Sequence, residues 1–287
     1  MKKLASLHAD APEHWVGDGF HVRSILTYHE HGARISPFLL LDYAAPAEFP
    51  AAEKPRGVER HPHRGFETVT IAYQGRLAHR DSAGHAGVIG PGDVQWMTAA
   101  AGVIHEEFHE QEFTRRGGVL EMVQLWVNLP AAHKMSPPKY QTLLARDIPI
   151  VPVADGHGRV RVIAGDFEGT RGAAQTFTPV DLWDVRLPAG ATVVFPVREG
   201  FTAAVLVLRG QAGLGGSERL TAGELGLFER EGAGVEVVAE DDCGLLLLAG
   251  QPIDEPIVGR GPFVMNTAEE IQQAIRDYQS GRMGRLD

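Results

Sequence analysis

The chain has 287 residues, enough for two domains of ordinary size or one large one, and its 44% hydrophobic content excludes an intrinsically disordered chain. Lys and Arg total 27 against 37 Asp and Glu, a formal charge of -10, which argues against direct nucleic-acid binding, since that needs clustered positive charge. Cys243 is the only cysteine, so an intrachain disulfide and a Cys-based zinc site are excluded, and the composition suits a reducing cytoplasm.

At the N-terminus, Lys2 and Lys3 are followed by a segment that His8, Asp10 and Glu13 interrupt, so no export signal is expected. Short strands then dominate. Val69–Tyr73 ends at Gly75, and Val119–Leu129 is long, apolar and rich in β-formers. Pro130, Pro137, Pro138, Pro149 and Pro152 cluster at a domain junction, which divides the chain into expected domains 1–135 and 136–287. Leu182–Leu187 alternates with period 2, and Val193–Phe195, Ala204–Leu208 and Gly244–Leu248 follow. Turn signals such as Gly90-Pro-Gly-Asp93, Pro188-Ala-Gly190 and Ala222-Gly-Glu224 separate the strands. The aliphatic run Leu245–Ala249 is far shorter than the roughly 20 residues of a membrane span and reads as a buried strand. Near the C-terminus, Thr267 and Glu270 form a capping-box pattern. Ile271, Ala274, Ile275 and Tyr278 then recur at helical spacing before Gly281, which predicts a helix over 267–280 with that apolar stripe packed on a barrel.

A shift of 135 residues lays Arg60–Phe66 over Phe195–Phe201 and Ile71–Gly75 over Leu206–Gly210. With a small deletion, Pro91–Val94 lies over Ala222–Leu225. The shared order of strand, Gly turn, strand and Gly-acidic turn predicts an all-β chain of two barrels made by duplication. His61 and His63 fall over Pro196 and Arg198, His105 over Glu236 and Glu107 over Val238, so only the first copy carries a polar cluster.

Six of the 13 histidines lie between His61 and His109. A neutral imidazole offers a lone pair near pH 7, which makes histidine the commonest metal ligand. His61 and His63 are two apart, so in a strand both face one side, and Pro62 between them forbids a helix interior. His105 and Glu107 are also two apart, and Glu106 points the other way. Two such pairs on adjacent strands put three imidazoles and a carboxylate around one point. His109 shares the parity of His105 but reads as a loop or rim residue. His79 and His85 flank a turn at Asp81–Gly84 and read as turn polarity, while Met97, Gln124 and Trp126 either line a cavity or pack a core.

The segments His61-Pro-His-Arg-Gly-Phe-Glu-Thr-Val69, Pro91–Ala99, Gly102-Val-Ile-His-Glu-Glu107, Leu125–Leu129 and Gly261–Thr267 resemble the pirin family of bicupins over nearly the whole chain. The resemblance implies two tandem cupin (jelly-roll-type) β-barrels with a C-terminal helix. It also implies one metal, usually iron, held by the residues matching His61, His63, His105 and Glu107, and a second cupin without metal.

Nitrogen and oxygen ligands without thiolate suit Fe, Mn, Co, Ni, Cu or Zn. Four protein ligands on an octahedral ion leave two positions, for a substrate oxygen and dioxygen. One carboxylate against two metal charges favours an anionic ligand such as an enolate or flavonol, and Glu107 can take its proton. The resemblance sharpens this to a cytoplasmic, Fe(II)-dependent enzyme similar to quercetin 2,3-dioxygenase. The family also implies an alternative, an iron-dependent, redox-responsive protein that binds a transcription factor or metabolic enzyme. A zinc-dependent hydrolase or isomerase is a third class, for which the sequence supplies no added base.

Overall fold

The computed structural model describes residues 1–216 and 218–286. The apolar and alternating runs form strands, and among the described residues the one helix longer than two turns is Ala268–Gln279. Two compact units are present. One consists of Pro12–Ala33, Phe38–Ala145 and Ile253–Asp287; the other consists of Met1–Ala11, Arg34–Pro37 and Arg146–Pro252.

The first unit pairs a seven-stranded with a four-stranded antiparallel sheet. The larger runs in the order Lys139–Leu143, Val94–Thr98, Phe66–Gln74, Gly118–Asn128, Phe38–Phe49, Phe20–Thr27, Glu13–Val16. The smaller runs Gly57–His63, Val103–His109, Leu77–Asp81, Ala86–Ile89. The second unit repeats this layout. Its larger sheet runs Leu4–His8, Leu225–Phe228, Thr202–Arg209, Cys243–Gly250, Val180–Leu187, Gly158–Ala164, Ile150–Val153. Its smaller sheet runs Thr192–Phe195, Val235–Ala239, Gln211–Leu214, Glu218–Thr221. Apolar side chains from both sheets meet in one core: Val205 and Val207 pack with Phe195, Leu214, Val235 and Val237 in the second unit. Phe20, Ala72 and Met122 pack with Leu77 and Ile89 in the first.

The units differ from a simple division at residue 135. The 135-residue shift also carries Leu4–His8 onto Lys139–Leu143, and each of these strands completes the sheet of the other copy. Leu4–His8 pairs with Leu225–Phe228, and the buried Lys2 Nζ donates to the carbonyls of Phe201 and Arg230 at 3.0 and 2.6 Å. An edge strand is stable only where its backbone finds a partner, and here that partner lies far along the chain.

The C-terminal segment likewise belongs to the first unit. Phe263 bridges to Arg64, and Val264 N–H donates to the Arg64 carbonyl at 3.0 Å. Thr267 and Glu270 form the expected capping box, and Ile271 and Ala274 are buried against Phe263, Met265 and Met283. The fourth residue of the expected stripe, Tyr278, is exposed; Asp277 is buried in its place. Arg64 explains the exchange. Its guanidinium, 4% exposed, donates to Asp277 Oδ2 at 2.9 Å and to the Ala101 carbonyl at 2.6 Å. Asp277→Ala strands this buried cation, so unfolding free energy is expected to fall by about 3 kcal/mol, read as a shift of the urea midpoint.

Candidate metal centre

Pro62 keeps Gly57–His63 extended, and the segment pairs antiparallel with Val103–His109. Val103 lies opposite His63 and His105 opposite His61. The ring centroids of His61 and His105 are 4.2 Å apart, those of His61 and His63 4.8 Å, and those of His63 and His105 4.9 Å. The ligand atoms of all three residues lie within 4.8 Å of one another. His63 and His105 are buried and His61 is half-buried, so the cluster is reached from the His61 side. His63 stands edge-on to Phe66 and Trp126, whose own rings stack at 4.3 Å.

Burial lowers the pKa of both His63 and His105 well below the usual histidine value, and the neighbouring imidazoles push it in the same direction. Both are therefore neutral near pH 7, the form that ligates metals. His105 Nε2 is buried and has no hydrogen-bond partner. An unsatisfied buried polar atom costs about 1–3 kcal/mol, and coordination removes that cost. The donor set and this orphaned nitrogen fit a transition metal with nitrogen and oxygen ligands.

Glu107 lies on the same strand, but the pairing with Gly57–His63 shifts register between His105 and Glu107. Its carboxylate joins a second group, His79, His105 and Glu107, with ligand atoms again within 4.8 Å. The two groups share His105. Glu107 Oε1 accepts from Gln95 Nε2 at 3.1 Å and Thr70 Oγ1 at 3.4 Å, and Oε2 accepts from Gln124 Nε2 at 3.1 Å. Glu106 points away, as parity requires, and pairs with Arg60 and Arg80.

Sequence reasoning missed His79. It is no turn residue: it is 5% exposed on Leu77–Asp81, directly opposite Glu107, and stacks on Tyr140 at 4.9 Å. The shared parity of His79 and Asp81 was the available signal. His109 is also not at a rim. It is buried in the strand among Phe20, Phe49 and Phe113, with its Nε2 donating to the Gly19 carbonyl at 2.9 Å. Of the cavity candidates, Gln124 reaches Glu107 and Trp126 reaches His63, whereas Met97 packs with Ala99, Val103 and Tyr140.

The second unit holds neither cluster among the described residues. Pro196 is exposed, and Arg198 lies over the Phe201 ring at 5.1 Å. Glu236, which the repeat laid under His105, is half-buried, while Val235 and Val237 fill the core. The repeat alignment is one residue out of phase there, and valine occupies the inward position.

Glu67, 1% exposed on Phe66–Gln74, accepts from Thr98 Oγ1 at 2.7 Å. Burial raises its pKa to about 7, with the Thr98 hydrogen bond acting the other way. The folded pKa lies above the unfolded one, so the stability tied to the protonated form is complete below about pH 4.5 and is lost as pH rises through about 7. The loss is roughly 3 kcal/mol. Glu67→Gln should therefore gain on the wild type as pH rises from 5 to 8, measured by denaturant unfolding at each pH; a constant difference would contradict this.

Comparison with known proteins agrees with this architecture. Residues 19–127 match the family described as Pirin, and residues 182–284 match the Pirin C-terminal cupin domain. A Pseudomonas aeruginosa protein named "Putative quercetin 2,3-dioxygenase" is 54% identical over 282 residues, covering 98% of each chain. Mouse Pirin is 39% identical over 256 residues, covering 87% of this chain and 83% of its own. A crystal structure of quercetin 2,3-dioxygenase from Acinetobacter baumannii superposes with a TM-score of 0.96 at 49% identity, covering 100% of both chains. Likeness of this degree along the whole length, carried by two cupin units, makes the chain a member of the pirin family.

Proposed function

We propose that the chain is a metal-dependent dioxygenase that cleaves flavonols, as a quercetin 2,3-dioxygenase does, at one mononuclear site formed by His61, His63, His105 and Glu107. The observation that carries this reading is the trio of imidazoles of His61, His63 and His105, with His105 Nε2 unpartnered, together with the Glu107 carboxylate, which two glutamine amides hold and which shares His105 with that trio. The names of the relatives in Pseudomonas aeruginosa and Acinetobacter baumannii support it. Iron(II) is the ion proposed, although the same donors accept Mn, Co, Ni, Cu or Zn. When bound, it supplies Lewis acidity toward an enolate and one-electron chemistry toward dioxygen.

The chain's own residues do the rest. Glu107 accepts the proton of the flavonol hydroxyl, and Gln95 and Gln124 hold its oxygens in place for that transfer. Half-buried Trp126, edge-on to His63 and backed by the buried Phe66, offers an apolar ring to an aromatic substrate. Among the described residues no helix is long and apolar enough to cross a membrane, and a cytoplasmic location is part of the proposal.

Protein reconstituted anaerobically with iron(II) should consume quercetin only after dioxygen is admitted. Loss of the flavonol absorption band should match oxygen uptake and carbon monoxide release. Absence of turnover with a panel of flavonols at full metal occupancy would overturn the proposal in favour of a redox-responsive binding protein. The test of that reading is whether a protein partner distinguishes the ferric and ferrous forms.

A further inference from the structure

We propose that His79 and Asp81 are positioning residues that set the tautomer of His105 and so aim its Nε2 lone pair at the metal; this rests on the ligand set proposed above. The reasoning starts from acceptors that cannot donate. His61 Nδ1 lies 2.8 Å from the Glu59 carbonyl and His63 Nδ1 lies 3.4 Å from the Pro262 carbonyl. A carbonyl only accepts, so both Nδ1 atoms carry the proton and both Nε2 atoms are free to ligate. His105 has no such carbonyl. Its Nδ1 meets another imidazole nitrogen, His79 Nδ1, at 3.4 Å. Which ring donates there decides whether His105 Nε2 is a ligand or a blocked N–H.

Asp81 resolves the ambiguity. Its side chain is 1% exposed. Oδ1 accepts from the backbone N–H groups of Ala83 and His85 at 2.9 and 3.0 Å. Oδ2 faces His79 Nε2 at 3.4 Å and His85 Nδ1 at 3.1 Å. A carboxylate with these partners only accepts, so His79 Nε2 carries the proton and, in the neutral ring, His79 Nδ1 is the acceptor. Gln95 points the same way. Tyr140 O–H donates to Gln95 Oε1 at 3.1 Å, which turns the Gln95 amide N–H toward Glu107 Oε1 and toward His79 Nδ1 at 3.3 Å. Asp81 and Gln95 both leave a lone pair on His79 Nδ1, which the Gln95 amide N–H at 3.3 Å and His105 Nδ1–H at 3.4 Å share as a bifurcated acceptor. The lone pair of His105 is left on Nε2, the buried nitrogen without a partner. The chain from carboxylate through two histidines does for His105 what a backbone carbonyl does for His61 and His63.

The test uses the full chain with histidine imidazoles labelled with nitrogen-15. In metal-free wild type, His105 should show a protonated Nδ1 and a bare Nε2. Asp81→Asn keeps an oxygen for the Ala83 and His85 N–H groups but turns an amide donor toward His79 Nε2. It should shift His105 toward the Nε2–H tautomer and weaken cobalt(II) binding roughly 10- to 100-fold in chelator competition, with one metal per chain at saturation. His79→Phe keeps a ring to stack on Tyr140 but removes the acceptor, and it should weaken cobalt(II) to a similar degree. An Nε2–H tautomer in wild type, or wild-type affinity in both variants, would overturn the assignment. So would His79→Phe losing its metal as completely as His105→Ala, because His79 would then be a ligand itself. If His105→Ala retains its metal, the ligand set has failed; the tautomer in metal-free protein is read separately.

Discussion

Substituting His105 with alanine should empty the metal centre while the chain stays folded. His105 is the residue common to both clusters and is fully buried, so its loss removes one imidazole and opens the contact between the other ligands and Glu107. The affinity loss should exceed the roughly 10- to 100-fold that follows removal of an outer partner. Folding survives because burial in this unit is supplied by apolar residues of both sheets, such as Phe20, Ala72, Leu77 and Met122. Elemental analysis should give well below one metal per chain, with unchanged far-ultraviolet circular dichroism. Wild type should bind one metal, since Val235 and Val237 fill the inward positions of the second copy and no ligand cluster recurs there among the described residues. Full retention of metal by His105→Ala, or two tightly bound metals in wild type, would contradict this account.

Glu107→Gln should lower turnover far more than metal content. The substitution keeps the shape and one oxygen donor but removes the negative charge and the basicity. A positioned general base contributes roughly 10²- to 10⁴-fold to rate, and a loss of that order is expected in steady-state rates normalised to bound metal. The amides of Gln95 and Gln124, which donate to the carboxylate, would then face an amide with one acceptor oxygen. Equal turnover per metal in the variant and wild type would remove Glu107 from the proton transfer. Unchanged turnover per bound metal together with lowered metal content would restrict it to ligation.

What could be read from the sequence is what local periodicity encodes. Pro62 and the spacing of two put His61 and His63 on one face, and the same spacing put His105 and Glu107 inward and Glu106 outward. Thr267 and Glu270 marked the helix start through contacts within one turn. The duplication announced two barrels, and the two sheets have the same strand order.

The tertiary structure decided what depends on pairing between distant segments. Strand register placed His79 opposite Glu107, so that the carboxylate is grouped with His79 as well as with His105, and a register is chosen by whole-sheet packing. The Pro262 carbonyl reaches His63, and Asp277 reaches Arg64, because the C-terminal segment pairs with the strand end at Arg64. Periodicity alone would have exposed Asp277; a buried guanidinium made it the inward residue, since a charge inside a protein needs a counter-charge more than a helix stripe needs another apolar side chain.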